Sequence, residues 1–158
     1  MRRASFALLL VLSACSGSTS TPIAPSSPAP GVNLSGSWTL QTQASGSCSG
    51  LSADAVSHSY SRVTIYYASY DTITITVGIN GVTLPILTDA QYYSSVTGFK
   101  IQERVRLTDN SVVGGLAIDG TFTSSVINQN KIAGTLNGNF TNGTADCAAA
   151  DHTLTFTR

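Results

Sequence analysis

What constrains this chain most is a one-for-one alternation of apolar and polar side chains that starts near residue 32 and recurs, run after run, to residue 158. A period of two sends successive side chains to opposite faces, as in a strand with one face buried and one wet; an amphipathic helix would repeat every 3.6 residues. Leu34, Gly36, Trp38 and Leu40 share one face of the first run. Val63, Ile65 and Tyr67 share a face in the second, and Ile73, Ile75, Val77 and Ile79 in the third. Asn80-Gly81 comes next, the pair that suits a type I′ hairpin turn because both central residues take positive φ. Val82 to Leu87 returns, and Phe99, Ile101, Glu103, Val105 and Leu107 line the next inward face. Residues 112–127 form one bent strand or two short ones, broken near Gly114-Gly115 or at Asp119-Gly120, and the segments 131–141 and 152–158 complete the set.

No helical period of useful length occurs, although 51–57 and 89–95 could each hold a turn or two. About eight to nine antiparallel strands joined by short turns predict an all-β domain over 32–158. An up-and-down β-barrel is the first expectation and a β-sandwich the alternative. The charges narrow the function. Lys+Arg and Asp+Glu number 8 each, and only 10% of residues are charged. A nucleic-acid binder needs a basic excess to neutralise phosphates, so nucleic acid is not an expected partner.

The N-terminus is an address. Met1-Arg2-Arg3 supplies a positive start and Phe6 to Leu12 a short apolar core, followed by Leu12-Ser13-Ala14-Cys15. The apolar run falls well short of the ~20 residues a spanning helix needs, and the pattern fits a secretory signal peptide over 1–14. Leu-Ser-Ala-Cys resembles the bacterial lipobox. That resemblance implies a diacylglyceryl group on the Cys15 sulfur, an acylated N-terminus after cleavage, and membrane attachment by lipid. Ser16 in place of the Asp that favours inner-membrane retention in enterobacterial lipoproteins points to the outer membrane, with the domain in the periplasm or at the cell surface. Four of the five prolines fall in Ser16 to Gly31, so 15–31 reads as the lipidated Cys followed by an extended tether. At ~3.1 Å per residue it would reach roughly 50 Å.

With Cys15 lipidated, Cys48 and Cys147 remain as an even pair in an oxidising compartment, which predicts a disulfide. It would join the loop after the first strand to the loop before the last, across 99 positions.

Gly36-Ser37-Trp38 at the start of the first strand resembles the Gly-x-Trp of lipocalins and related calycins. In those barrels a basic residue near the last strand packs across the Trp and closes one end. The resemblance implies that Gly36, Trp38 and Arg158 form this closure and that the domain is a calycin-like barrel able to bind a small apolar ligand. The further conserved stretches of true lipocalins are missing, and a single Trp leaves no aromatic box for biotin.

Catalytic patterns are lacking: no Gly-x-Ser-x-Gly elbow occurs, and no enzyme activity is expected. A His58/His152/Asp151 metal cluster is conceivable if the bridge draws the loops together, but its spacings match no metal site, so neither metal nor cofactor is expected. Glu103 should face inward by alternation, where a carboxylate must be paired or must meet a ligand. It is therefore a candidate for lining a ligand cavity or for pairing with Arg158, Arg62 or a Tyr hydroxyl. Tyr67, Tyr92 and Tyr93 are the other cavity candidates, the latter two as a mouth or lid within 89–98. The expected activity is non-catalytic binding of a small hydrophobic ligand by an outer-membrane-anchored lipoprotein. The alternatives are an envelope structural or interaction protein without ligand, and an inhibitor of a secreted protease. Nothing in the pattern sets an oligomeric state.

Overall fold

In a computed structural model of the protein, residues 33–67, 72–95 and 98–158 are described; for 72, 88–95, 98 and 99 the description covers backbone alone. The signal segment, Cys15 and the tether lie outside the described residues. Eight antiparallel strands succeed one another round an up-and-down barrel. They are β1 (Gly36–Gln43), β2 (Ser57–Tyr67), β3 (Thr72–Ile79), β4 (Val82–Ser95), β5 (Gly98–Asp109), β6 (Leu116–Asn128), β7 (Lys131–Asn142) and β8 (Ala145–Thr157), with one short helix, α1 (Ala53–Val56), between β1 and β2. Each strand pairs with its neighbour in sequence, and β1 pairs with β8 from Thr39↔Thr157 to Gln43↔Thr153 to close the wall. The barrel, and not the sandwich, is the architecture, with eight strands rather than nine.

The alternation is spent as expected. Trp38, Leu40, Val63, Ile65, Ile73, Ile75 and Val77 are all buried, while their neighbours along the strands whose side chains are described face outward or lie half-buried. Each large side chain so enclosed contributes roughly 1.5–3 kcal/mol. Asn80 and Gly81 have φ of 47° and 80°, the primed-turn geometry that joins β3 to β4. Gly114 and Gly115, with φ of 82° and 76°, turn the chain ahead of β6, which then runs unbroken through Asp119-Gly120.

Three features depart from the sequence reading. Residues 89–95 carry no helical turn; they belong to β4, where Gln91–Ser95 pairs with Gly98–Gln102 of β5. Tyr92 and Tyr93 are therefore strand residues opposite Ile101 and Lys100 instead of a separate lid, and their side chains lie outside the described residues. Cys147 is not in a loop but in β8, opposite Phe140. The third is a set of bulges. β2 gains a residue between Tyr60 and Val63, β4 between Pro85 and Leu87 and again between Leu87 and Ala90, β6 between Ser124 and Val126, and β8 between Ala149 and His152. Each swaps the inward and outward faces of the strand beyond it; in β4 the consecutive residues Ile86 and Leu87 are both buried.

The barrel has two distinct ends. Arg158, the first residues of β1 and the 129–130 turn lie at one; the loop 44–56 with α1, the Asn80-Gly81 turn and residues 110–115 lie at the other.

Candidate functional site

At the Arg158 end, Trp38 is 2% exposed and its Nε1 donates to the Leu34 carbonyl at 2.9 Å. The Arg158 guanidinium lies 4.6 Å from the centroid of the Trp38 ring. It also donates to the carbonyls of Ser35 at 3.0 Å and Asn33 at 2.6 Å. Gly36, with φ of 136°, lets the chain pass beneath it, and a Cβ there would stand 3.4 Å from the guanidinium. A single stretch, residues 33–38, thus wraps the cation supplied by the last residue. Arg158→Ala is expected to lower stability by about 1–2 kcal/mol, from an exposed cation–π contact and two carbonyl hydrogen bonds. The emission of the single Trp, followed through a urea titration, reports it; an unchanged midpoint would show the contact to be idle.

Inside the barrel, Trp38, Phe122, Phe140 and Phe156 are each 2% exposed or less, with Phe122 and Phe156 meeting edge to face at 6.2 Å. His152 belongs to this core. It is fully buried, stacks on Phe140 at 4.4 Å, accepts from the Ser45 N–H at Nδ1 (3.0 Å) and faces the Gly138 carbonyl through Nε2 (3.3 Å). Because a backbone N–H can only donate, Nδ1 is the acceptor and Nε2 carries the proton. Beside it runs the Cys48–Cys147 disulfide, with a Cα–Cα distance of 5.6 Å.

Glu103 is half-buried and lines a cavity of about 380 Å³ with Pro85, Ile86, Arg104 and Arg106. This cavity sits where β4 and β5 part: their pairing ends at Gln91↔Gln102 and, among the described residues, does not continue toward the other end. Pro85 suits such an edge because it has no N–H to leave unpaired. Among the described residues no ion pair joins Glu103 to Arg62 or Arg158. Tyr67 is half-buried at the Arg158 end, where its N–H donates to the Ser35 hydroxyl at 3.1 Å. On the outer face Arg104 grips Asp119 with two bonds of 2.8 Å, which holds the Asp119 carboxyl below the usual carboxylate range.

A second group of titratable side chains lies at the opposite end. Ser52 caps α1 by accepting from the Ala55 N–H at 3.2 Å, and this sets Asp54 one turn ahead of His58. Asp54 Oδ1 lies 2.6 Å from His58 Nδ1. From across the mouth, at the end of β5, comes Asp109, which is 1% exposed. Its Oδ1 accepts from the Ser111 N–H (2.8 Å) and hydroxyl (2.6 Å), and its Oδ2 faces His58 Nε2 at 3.8 Å. Tyr60 packs edge-on to the His58 ring at 4.7 Å, and its buried hydroxyl lies beside the Asp109 carboxylate. Burial, with the Asp109 carboxylate beside it, pushes this phenol above the ordinary tyrosine range. His58, Tyr60, Asp109 and Ser111 line a cavity of about 350 Å³ that opens outward.

The structure therefore takes the two histidines to different partners. His58 meets Asp54 and Asp109, His152 meets Ser45 and Gly138, and Asp151 is exposed, so the His58/His152/Asp151 grouping does not form among the described residues. Asp109 and Tyr60 were not foreseen as site residues. Asp109 had a signal, since the alternation that turns Val105 and Leu107 inward carries on to it.

Comparison with protein-family models, with curated proteins and with solved structures finds no match to this chain. The up-and-down barrel and the geometry of its two ends define the class to which it is assigned.

Proposed function

We propose that this protein is a lipid-anchored, non-catalytic β-barrel module of the bacterial outer membrane that acts through its outer surface, as an envelope interaction protein. The observation that carries the reading is the filled interior. Among the described residues, Trp38, Phe122, Phe140 and Phe156 are buried where a lipocalin-like barrel would hold a ligand, and cavities lined mostly by exposed residues open outward. Eight strands form a barrel just wide enough for side chains to fill it or for one small ligand to enter, and here aromatic rings do the filling. The anchor part of the proposal is supported by Leu12-Ser13-Ala14-Cys15, whose acylated Cys would hold the chain at the bilayer.

Native mass spectrometry of the membrane-extracted protein tests both parts at once. The expected mass is that of the chain from Cys15 onward plus the acyl groups, with no further molecule. A stoichiometric apolar adduct would return the function to small-ligand binding, and an unacylated mass would remove the anchor.

A further inference from the structure

β4 and β5 are paired at the Arg158 end, from Ser95↔Gly98 to Gln91↔Gln102. Toward the other end both strands run on, β4 through Val82–Leu87 and β5 through Glu103–Asp109, with no pairing between them among the described residues. An antiparallel strand points the backbone groups of alternate residues to opposite neighbours. Ile101 directs its N–H to β6, where the Ser124 hydroxyl accepts it at 2.8 Å. By that alternation the N–H and C=O groups of Arg104, Arg106 and Thr108 point into the gap. β4 offers a poorer edge on its side, because Pro85, which lines the gap, has no N–H. The open edge of β5 is a template for a further strand. Its charge is one-sided as well. Of the chain's 8 Lys+Arg, Arg2 and Arg3 precede the described residues, and three of the others, Lys100, Arg104 and Arg106, share the outer face of β5. Asp119 answers them incompletely: Arg104 takes both its oxygens at 2.8 Å, and Arg106 stands 3.9 Å away.

We propose that the β5 edge from Arg104 to Thr108 is a docking site for an extended segment of a partner protein, one that alternates acidic and apolar residues and adds to the wall antiparallel to β5. The inference rests on the reading of the protein as an interaction module and names the chemistry of its partner. A strand laid on this edge puts the residues opposite Arg104 and Arg106 on the outer face, where carboxylates neutralise the two guanidiniums at cross-strand distance. Its intervening side chains turn inward beside Val105, Leu107 and Ile86, all buried. Main-chain bonds then supply affinity and the alternate side chains specificity. Glu103, half-buried on the inward side, sets the register. A slip of one residue would turn the acids inward against it and leave the apolar side chains in water. The cavity of about 380 Å³ between Pro85, Ile86, Glu103, Arg104 and Arg106 is the room at the head of this edge. A second copy is the wrong occupant, because no two acidic residues of this chain stand two apart and none of its strands carries the alternation required.

The test is amide hydrogen exchange, read by NMR on the full chain alone and with two synthetic hexapeptides. One alternates glutamate with valine and the other lysine with valine. In the free chain the amides of Arg104, Arg106 and Thr108 should exchange about 100-fold or more faster than those of Val105 and Leu107, which point to β6. The glutamate peptide should slow those three amides and bind about tenfold more tightly than the lysine peptide. Arg106→Glu, a change at an exposed side chain, should cancel most of that preference and leave the exchange pattern of the free chain as it was. Slow exchange of the three amides in the free chain would overturn the proposal, since the edge would already be paired. So would a glutamate peptide that leaves them fast at millimolar concentration, or equal slowing by both peptides. Slowing that follows chain concentration without peptide would make a second copy the occupant and overturn it too. The interaction-module reading is judged by a different readout, the absence of an apolar adduct in the native mass, so either can fail while the other stands.

Discussion

Removing the Cys48–Cys147 bridge, by the double substitution Cys48→Ala/Cys147→Ala or by reduction, is expected to lower the unfolding free energy by about 2–5 kcal/mol. The bond spans 99 positions, and closing a loop of ~100 residues is worth about 4.7 kcal/mol in the chain-entropy description. The native geometry adds to this. Cys48 sits in the 44–56 loop, which otherwise bonds to the rest of the barrel through the Ser45 N–H on His152, the Ser52 N–H on Asn142 and the Ser52 hydroxyl on the Val113 carbonyl. Freed at Cys48, that loop would uncover Ala44 and Ala55, both buried, and loosen the solvent screen over His152. For a domain of this size each kcal/mol is worth roughly 3–5 °C, so the melting temperature should fall by about 6–25 °C. Circular dichroism with and without reductant reads it directly, and coincident melting curves would mean that the bridge constrains nothing.

Gly134→Ala should be nearly as damaging, for a different reason. β6 and β7 approach so closely that a Cβ on Gly134 would overlap the Thr123 carbonyl and stand 2.6 Å from the Ser124 Cα. All of these are backbone atoms of a paired strand, so no side chain can swing aside. A methyl group must therefore part the two strands at the bulge between Ser124 and Val126, where the Ser124 hydroxyl also accepts from the Ile101 N–H at 2.8 Å. The expected loss is at or above the upper end of the ~1–3 kcal/mol typical of overpacking. Gly46→Ala is the matched control, because a Cβ there meets nothing within 4 Å, and it should stay within about 0.5 kcal/mol of wild type. Denaturant midpoints for the two variants decide the matter: similar values would show that the β6–β7 approach relaxes freely.

Much of the fold could be read from the chain because period-two patterning is local information. The Asn80-Gly81 turn and the inward sets on β1, β2 and β3 come from residue order and steric preference alone. The bulges did not show themselves. A single extra residue, as at Ile86 or between Ala149 and His152, looks in the sequence like a lapse in alternation and acquires meaning only from the partner strand's register. The strand pairing of 89–95 was hidden for a related reason, since Asp-Ala-Gln-Tyr-Tyr satisfies neither period cleanly and its state is set by β5. The His58 group was the least legible part. Asp54 lies four residues away and could be guessed, but Asp109 stands three strands further round the wall. It reaches His58 only because closure of the barrel brings the ends of β2 and β5 face to face.

Those closed ends also impose an order of events. Every pairing except one joins strands adjacent in sequence, so hairpins can add to hairpins as the chain lengthens, at small cost in loop closure. The β1–β8 seam is different: it needs the last segment made to find the first. During synthesis from the N-terminus, β1 stands with one edge unpaired and the Cys48 thiol unmatched until β8 arrives carrying Cys147. Oxidation of that pair therefore records a finished barrel, and the interval before it is when the open β1 edge is exposed to any other strand that comes within reach.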